Sequence, residues 1–290
     1  AVSIGSGATL QFESPAYAVS GTLSNAGTLQ LQSGTVTFTA PMTYSGAGVV
    51  NLASSTLRVQ GNGFDPATLN MSGGFLSGTG TVTVGTLNWT AGTMGEYEAS
   101  NFGGTTRVTG QATISGGSGH QLYYGRTLQI DGSATWTDSG AINMTAPTTI
   151  GNPAVSIPQS QLLVSAGATF NDLGSVSHTV TGRGLITIAG DYIKSGAGTT
   201  VVQADWLNSG LTRVTGGTLQ LLNGNVTNTG IFEANGGTLD VRGGTFFTNL
   251  NLATSTLTGG TYNVFANSTF QATNASIVTN AATMLLDGAN

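Results

Sequence analysis

The side chains able to do acid–base chemistry are few and scattered. Asp and Glu together number 12 in 290 residues, with seven Lys and Arg and two His. A glycosidase sets two carboxylates across a sugar, roughly 5 to 9.5 Å apart. Glu96 and Glu98 are the nearest approach to such a pair, since residues two apart face the same side of a strand. A polysaccharide lyase wants a Ca²⁺-holding cluster of acids and a Lys or Arg base. Asp191 stands three residues before Lys194, the only lysine, but one acid does not hold Ca²⁺. A turn salt bridge is the expected role of that pair. His120 and His178 are too few for a metal site, which takes three or four ligands. The densest polar and aromatic segment is His120-Gln121-Leu122-Tyr123-Tyr124-Gly125-Arg126. Tyr and Arg are favoured in binding sites, and aromatic faces stack on sugars. Glu96, Tyr97, Glu98, His120, Tyr123, Tyr124 and Arg126 are therefore the candidate ligand-binding set. The plainer alternative is that these tyrosines only cover the fold. No catalytic residue, metal ligand or cofactor is assigned.

The elements that must position these residues are short strands. Charged residues make up 7% of the chain and glycine fills 45 positions, against roughly 25% and 7% in ordinary domains. Disorder needs low hydrophobicity and high net charge. Here hydrophobic residues are 39% and the net charge is −5. A β-rich fold with many tight turns fits instead. Thr35-Val36-Thr37-Phe38-Thr39 and Thr81-Val82-Thr83-Val84 alternate strictly, and Leu185-Ile186-Thr187-Ile188 does so more weakly. Each is bounded by Gly, Asn or Ser, the pattern of strands between turns. The basic residues are dispersed singly, so no patch neutralises phosphates and no nucleic-acid partner is expected. No apolar run approaches the ~20 residues of a membrane helix. Cysteine is absent, which excludes disulfides and thiolate metal sites.

A phrase recurs: Thr-Leu, any residue, an aliphatic, then Gly. It appears at Thr28-Leu29-Gln30-Leu31, Thr56-Leu57-Arg58-Val59, Thr127-Leu128-Gln129-Ile130, Thr218-Leu219-Gln220-Leu221 and Thr238-Leu239-Asp240-Val241. The last two copies start 20 residues apart and the first two 28. Repeats near 20 residues mark a solenoid. The expected fold is all-β, a right-handed parallel β-helix. At ~4.8 Å per coil, roughly 12 to 14 coils would make a rod of about 60 Å. The five threonines should occupy equivalent positions, with the following leucines buried and stacked in file. Trp89, Trp136 and Trp206 recur within the pattern and read as packing residues. The repeat weakens near 95–125 and 146–160, where loops are expected to leave the rod; Pro147, Pro153 and Pro158 cannot donate to a ladder. Residues 1–290 read as one solenoid domain, a segment of a longer array. Rows such as Thr35, Thr37 and Thr39 would suit ice binding only if repeated in most coils, and they are sporadic.

Three phrases carry a resemblance. They are Gly80-Thr81-Val82-Thr83-Val84-Gly85-Thr86-Leu87-Asn88-Trp89-Thr90-Ala91-Gly92-Thr93-Met94, Leu257-Thr258-Gly259-Gly260-Thr261-Tyr262-Asn263-Val264 and Ile277-Val278-Thr279-Asn280-Ala281-Ala282-Thr283-Met284-Leu285-Leu286-Asp287-Gly288. They resemble the β-helical repeats of giant bacterial surface adhesins, of the filamentous-haemagglutinin and autotransporter-passenger kinds. The resemblance implies export to the bacterial cell surface and an adhesive or structural role without catalysis, as a stalk, filament or attachment rod. It implies as partners neighbouring repeats or identical subunits end to end, and host or matrix glycans or proteins, with no membrane insertion. A carbohydrate-active β-helix enzyme, a lyase or a hydrolase, is the alternative.

Overall fold

The computed structural model describes residues 1–13, 15–97, 102–137, 139–150, 154–242 and 246–288. Short strands follow one another with no α-helix among the described residues. Nearly all pair in parallel with strands one coil away, the signature of a solenoid of about 13 coils. Most coils contribute a strand to each of three ladders, and at Phe64 and Phe247 the third side is a single bridge. In ladder A the inward residues in register run Leu10, Leu29, Val50, Leu69, Leu87, Ala112, Ala134, Phe170, Tyr192, Thr212, Phe232, Tyr262 and Met284. Ladder B follows A along the chain and includes Val36, Leu57, Leu76, Met94, Leu122 and Met144, then Thr200, Leu219 and Leu239 further on. Ladder C includes Val82, Thr106, Leu128, Leu162, Ile186, Trp206 and Val226.

Alternation dictates the two faces. In strand Thr28–Leu31 the threonine and glutamine are half-buried while Leu29 and Leu31 are buried; the same pattern repeats in Thr127–Ile130 and Thr218–Leu221. The interior is one continuous apolar cluster from Ile4 to Val264, and Trp89, Trp136 and Trp206 all lie within it. The Thr-Leu leucines 29, 57, 128, 219 and 239 are all buried. They do not form one file, however. Leu29 stands on ladder A and Leu128 on ladder C, while Leu57, Leu219 and Leu239 share ladder B. The phrase encodes a strand with one buried face, and all three sides of a coil use it. A spacing of 20 therefore returns to the same side, whereas 28 advances to the next.

The corners pack backbone on backbone. At Gly217, φ is +61°, and a Cβ there would lie 2.4 Å from the carbonyl oxygens of Gly196 and Gly198 in the preceding coil. Only glycine accepts both constraints. Two insertions leave the rod at the corner between ladders B and C. One separates Met94 from Thr105. The other separates Met144 from Gln161 and contains the antiparallel pair Thr148–Ile150 with Val155–Ile157. Strands Thr105–Ile114 and His120–Leu122, which the sequence places in the first excursion, belong to the regular ladders. A third departure, not expected from the sequence, is a hairpin pairing Leu250–Asn251 with Thr256 and Leu257. A cavity of about 690 Å³ is lined by Val264, Phe270, Ile277, Met284 and Leu286, and one of about 320 Å³ by Val2, Leu10, Phe12 and Tyr17.

Candidate functional site

The corner between ladders B and C brings together aromatic side chains of the first insertion, Tyr97 and Phe102, and of the turn one coil on, Tyr123 and Tyr124; of these Tyr97 is exposed and the others half-buried. Tyr124 is the hub. Its ring centroid lies 5.6 Å from that of Tyr97, 5.8 Å from Tyr123 and 6.1 Å from Phe102. Tyr97 is 64% exposed and forms the outer surface of the cluster. Tyr124 has φ of 54°, an uncommon conformation for a side chain of that size. It is held there by its neighbours. Its N–H donates to Thr145 Oγ1 at 2.9 Å, and its carbonyl accepts from Gly103 N–H at 2.9 Å. Thr145 opens the second insertion, so the two insertions are tied together at this corner.

The rest of the predicted set divides. Glu96 is at the foot of the cluster, but both its oxygens are taken. Arg58 grips them bidentately at 2.8 and 2.7 Å, and Ser77 Oγ donates at 2.9 Å. Arg58 thereby holds the carboxyl below its usual range. Glu96 is thus a clamp for the loop. Glu98 lies outside the described residues. His120 and Arg126 are wholly buried and do not reach the surface with the tyrosines. Both sit where strand alternation or the corner turns them inward. His120 Nε2 lies 3.1 Å from the Trp89 carbonyl and 3.2 Å from that of Ser115. The Arg126 guanidinium donates to Gly78 O at 3.1 Å, to Thr105 O at 3.3 Å and to Thr106 Oγ1 at 3.1 Å. Burial pushes its pKa down to about 9, so at neutral pH it remains a cation that pins the corner to two preceding coils. Phe102 joins the cluster without having been singled out, because nothing in its sequence neighbourhood distinguishes it from a core residue.

A second constellation lies inside the rod. Asp172 and Lys194 occupy the same inward position of ladder A in successive coils, directly in register. Both are fully buried, with Nζ 3.8 Å from Oδ1. Lys194 therefore pairs with Asp172. The expected partner Asp191 begins the same strand as Lys194, on its opposite face. Every valence of Asp172 is used. Oδ1 faces His178 Nε2 at 3.1 Å and accepts from Gly174 N–H at 3.3 Å. Oδ2 accepts from the Tyr192 hydroxyl at 2.8 Å and from Thr200. Burial alone would raise this carboxyl. The hydrogen bond and charge of His178, the Lys194 charge and the Thr200 hydroxyl outweigh it and leave the pKa below the usual value. Burial pulls the Lys194 ammonium down, partly offset by Asp172. Tyr192 is raised well above its ordinary value by burial and by Asp172, so it stays a donor.

Thr200, His178 and Asp172 have the residue types of a nucleophile, base and acid. Their geometry is not that of a relay. In a relay the acid and the nucleophile contact opposite nitrogens of the imidazole; here Thr200 Oγ1, at 2.9 Å, and Asp172 both contact Nε2. All three side chains are also sealed from solvent. The arrangement can hold coils together, and no substrate can reach it. Its signal in the sequence is a charge at the fourth position of Thr169-Phe170-Asn171-Asp172 and of Asp191-Tyr192-Ile193-Lys194, where the other strands of ladder A from Thr28–Leu31 onward place apolar residues such as Leu31, Met71, Trp136 and Val214. No family model, no curated protein and no solved structure matches the chain.

Proposed function

We propose that the protein is an extracellular structural and adhesive rod of a bacterial surface, and that it has no catalytic activity. One observation carries this reading: along the ladders, carboxylates, guanidinium groups and amides bond from coil to coil. Arg213 and Glu233 face each other in register at 2.7 Å. Arg107 pairs with Asp131 one coil on. Gln220 donates to Asp240 at 3.2 Å, and Asp240 accepts from Thr273 in the following coil. On the outside of ladder A an amide chain runs through Gln30, Asn51, Asn70 and Asn88, each link 2.8 or 2.9 Å. Glycosidic chemistry needs carboxylates turned toward a shared cleft; these are turned toward their neighbours. The resemblance to adhesin repeats supports the surface location. The tyrosine corner supplies the adhesive part.

Beads coated with the chain test this reading on a panel of matrix glycans and proteins. Attachment to at least one of them, with no polysaccharide shortened, is the expected outcome. Release of new reducing ends from any polysaccharide would overturn the non-enzymatic reading.

A further inference from the structure

We propose that the groove beside the second insertion, holding Gln159, Arg183 and Asp205, binds an uncharged, hydroxyl-rich glycan that extends along the corner toward the tyrosine cluster. The inference rests on the reading of the protein as a non-enzymatic surface rod, and it names the ligand class and a site apart from the tyrosines themselves.

The groove has a volume of about 270 Å³ and is walled on one side by Ala146 and Pro147. Its polar groups come from three successive coils. Gln161, Leu185 and Asp205 are in register on ladder C. Gln159 and Arg183 each lie two residues before that register position in successive coils, a rise of about 4.8 Å, and Asp205 stands at the register position one coil further on. These groups have capacity to spare. Among the described residues Arg183 and Gln159 make no hydrogen bond to the protein. Asp205 accepts from Asn225 N–H at 2.8 Å with one oxygen and leaves the other uncommitted. The contrast with Arg58, Arg107 and Arg213, each held by a carboxylate, is what marks the place.

The chemistry selects the ligand. A guanidinium and a carboxylate in one groove cancel, so an anion gains little, whereas sugar hydroxyls donate to Asp205 and accept from Arg183 and Gln159. A peptide binding by strand addition needs an unpaired strand edge. At this corner the ladder strands are paired on both sides, as Leu185–Ile188 is with Gln161–Val164 and with Asp205–Asn208, and the open edges of the pair Thr148–Ile150 with Val155–Ile157 lie outside the described lining of the groove. The neighbouring tyrosines provide the stacking surface that pyranose rings favour. The two places are joined: Tyr124 bonds Thr145, and Pro158 packs so closely on Gly125 that a Cβ there would lie 2.7 Å from it. The rise of one coil is close to the length of one pyranose unit, so a linear chain can meet the corner in step.

The test is titration of the wild type and of Arg183→Ala with neutral gluco-, manno- and galacto-oligosaccharides of four or more units and, in parallel, with polygalacturonate and heparin fragments. At least one neutral series should bind the wild type. Arg183→Ala should weaken it about tenfold or more, the loss of a hydrogen bond to a charged group. Because Arg183 makes no hydrogen bond among the described residues, the thermal midpoint of Arg183→Ala should match the wild type. Gln159→Ala should weaken binding in the same direction. Absence of binding to every neutral series, equal affinity in Arg183→Ala, or preference for the acidic chains would overturn the proposal. Shortening of a bound oligosaccharide would bring down the rod reading itself, whereas oligosaccharides that stay intact and unbound remove only this groove.

Discussion

The inward fourth position of ladder A is filled in two ways. In the early coils it reads Leu31, Leu52, Met71 and Trp89. After Trp136 it reads Asp172 and then Lys194, before returning to Val214. Both stretches are sealed from water and share one backbone geometry. The apolar stretch is held by volume and buried area, and any side chain of about the right size can serve there. The ionic stretch is held by a closed set of partners, each worthless without the others. A rod of near-identical coils has little to tell one coil from the next. A buried pair that fits in one place only is the device best attested for fixing such a register.

The largest expected effect comes from breaking that pair. Asp172→Ala leaves the buried Lys194 ammonium without its counter-charge, bonded only to the carbonyls of Gly174 and Gly196, and takes the carboxylate from His178; it should cost about 3–5 kcal/mol. Replacing both members, as Asp172→Leu with Lys194→Met, should recover part of that loss by removing the unpaired charge, the remainder being the buried donors of His178, Tyr192 and Thr200 left without Asp172. Denaturant unfolding of the three proteins measures this, and a double variant as unstable as the single would show that the charges are not the issue. In the apolar stretch a single truncation should behave differently. Leu57→Ala should cost about 2–5 kcal/mol through lost burial and a cavity, with no second substitution required to explain it. Leu219→Ala, in the same ladder, should fall in the same range. The smallest effect belongs to the outer amide chain. Asn70 donates to Asn51 and accepts from Asn88, and at a half-buried position Asn70→Ala should cost about 1 kcal/mol, read as a small shift of the thermal midpoint.

The solenoid was legible because its signals are local. The Thr-Leu phrase and its bounding glycines mark each strand and its buried face, and period 20 marks the coil. What was not legible is how three sides share one phrase: Leu29, Leu57 and Leu128 carry identical local patterns yet stand on three different ladders. Long-range pairing likewise hid the partner of Lys194, since Asp172 is 22 residues away in sequence and one coil away in space. Of the candidate site, Tyr97 joins Tyr123 and Tyr124, although it lies outside the dense segment 120–126 and one coil back along the chain. His120 and Arg126 were misplaced by the same reasoning, because a polar residue type announces exposure unless the strand register or the corner turns it inward. Arg183 and Asp205 gave no signal at all; only the stacking of coils makes them neighbours.

Hydrogen exchange under falling pH tests the central claim most directly. The Asp172 carboxyl has a folded-state pKa below its ordinary value of 3.8. Its stabilisation is therefore complete above that value and is lost as pH falls through the folded-state pKa. In a solenoid each coil answers mainly to its neighbours, so the loss should appear locally. Below the ordinary carboxylate range, amides of strands Thr169–Asp172, His178–Thr181, Asp191–Lys194 and Thr199–Val202 should lose protection first. Those of Thr28–Leu31 and Val49–Leu52 should hold, and the Asp172→Leu/Lys194→Met variant should show no such selective loss. Protection that fades evenly along the rod, or first in the apolar coils, would contradict the account.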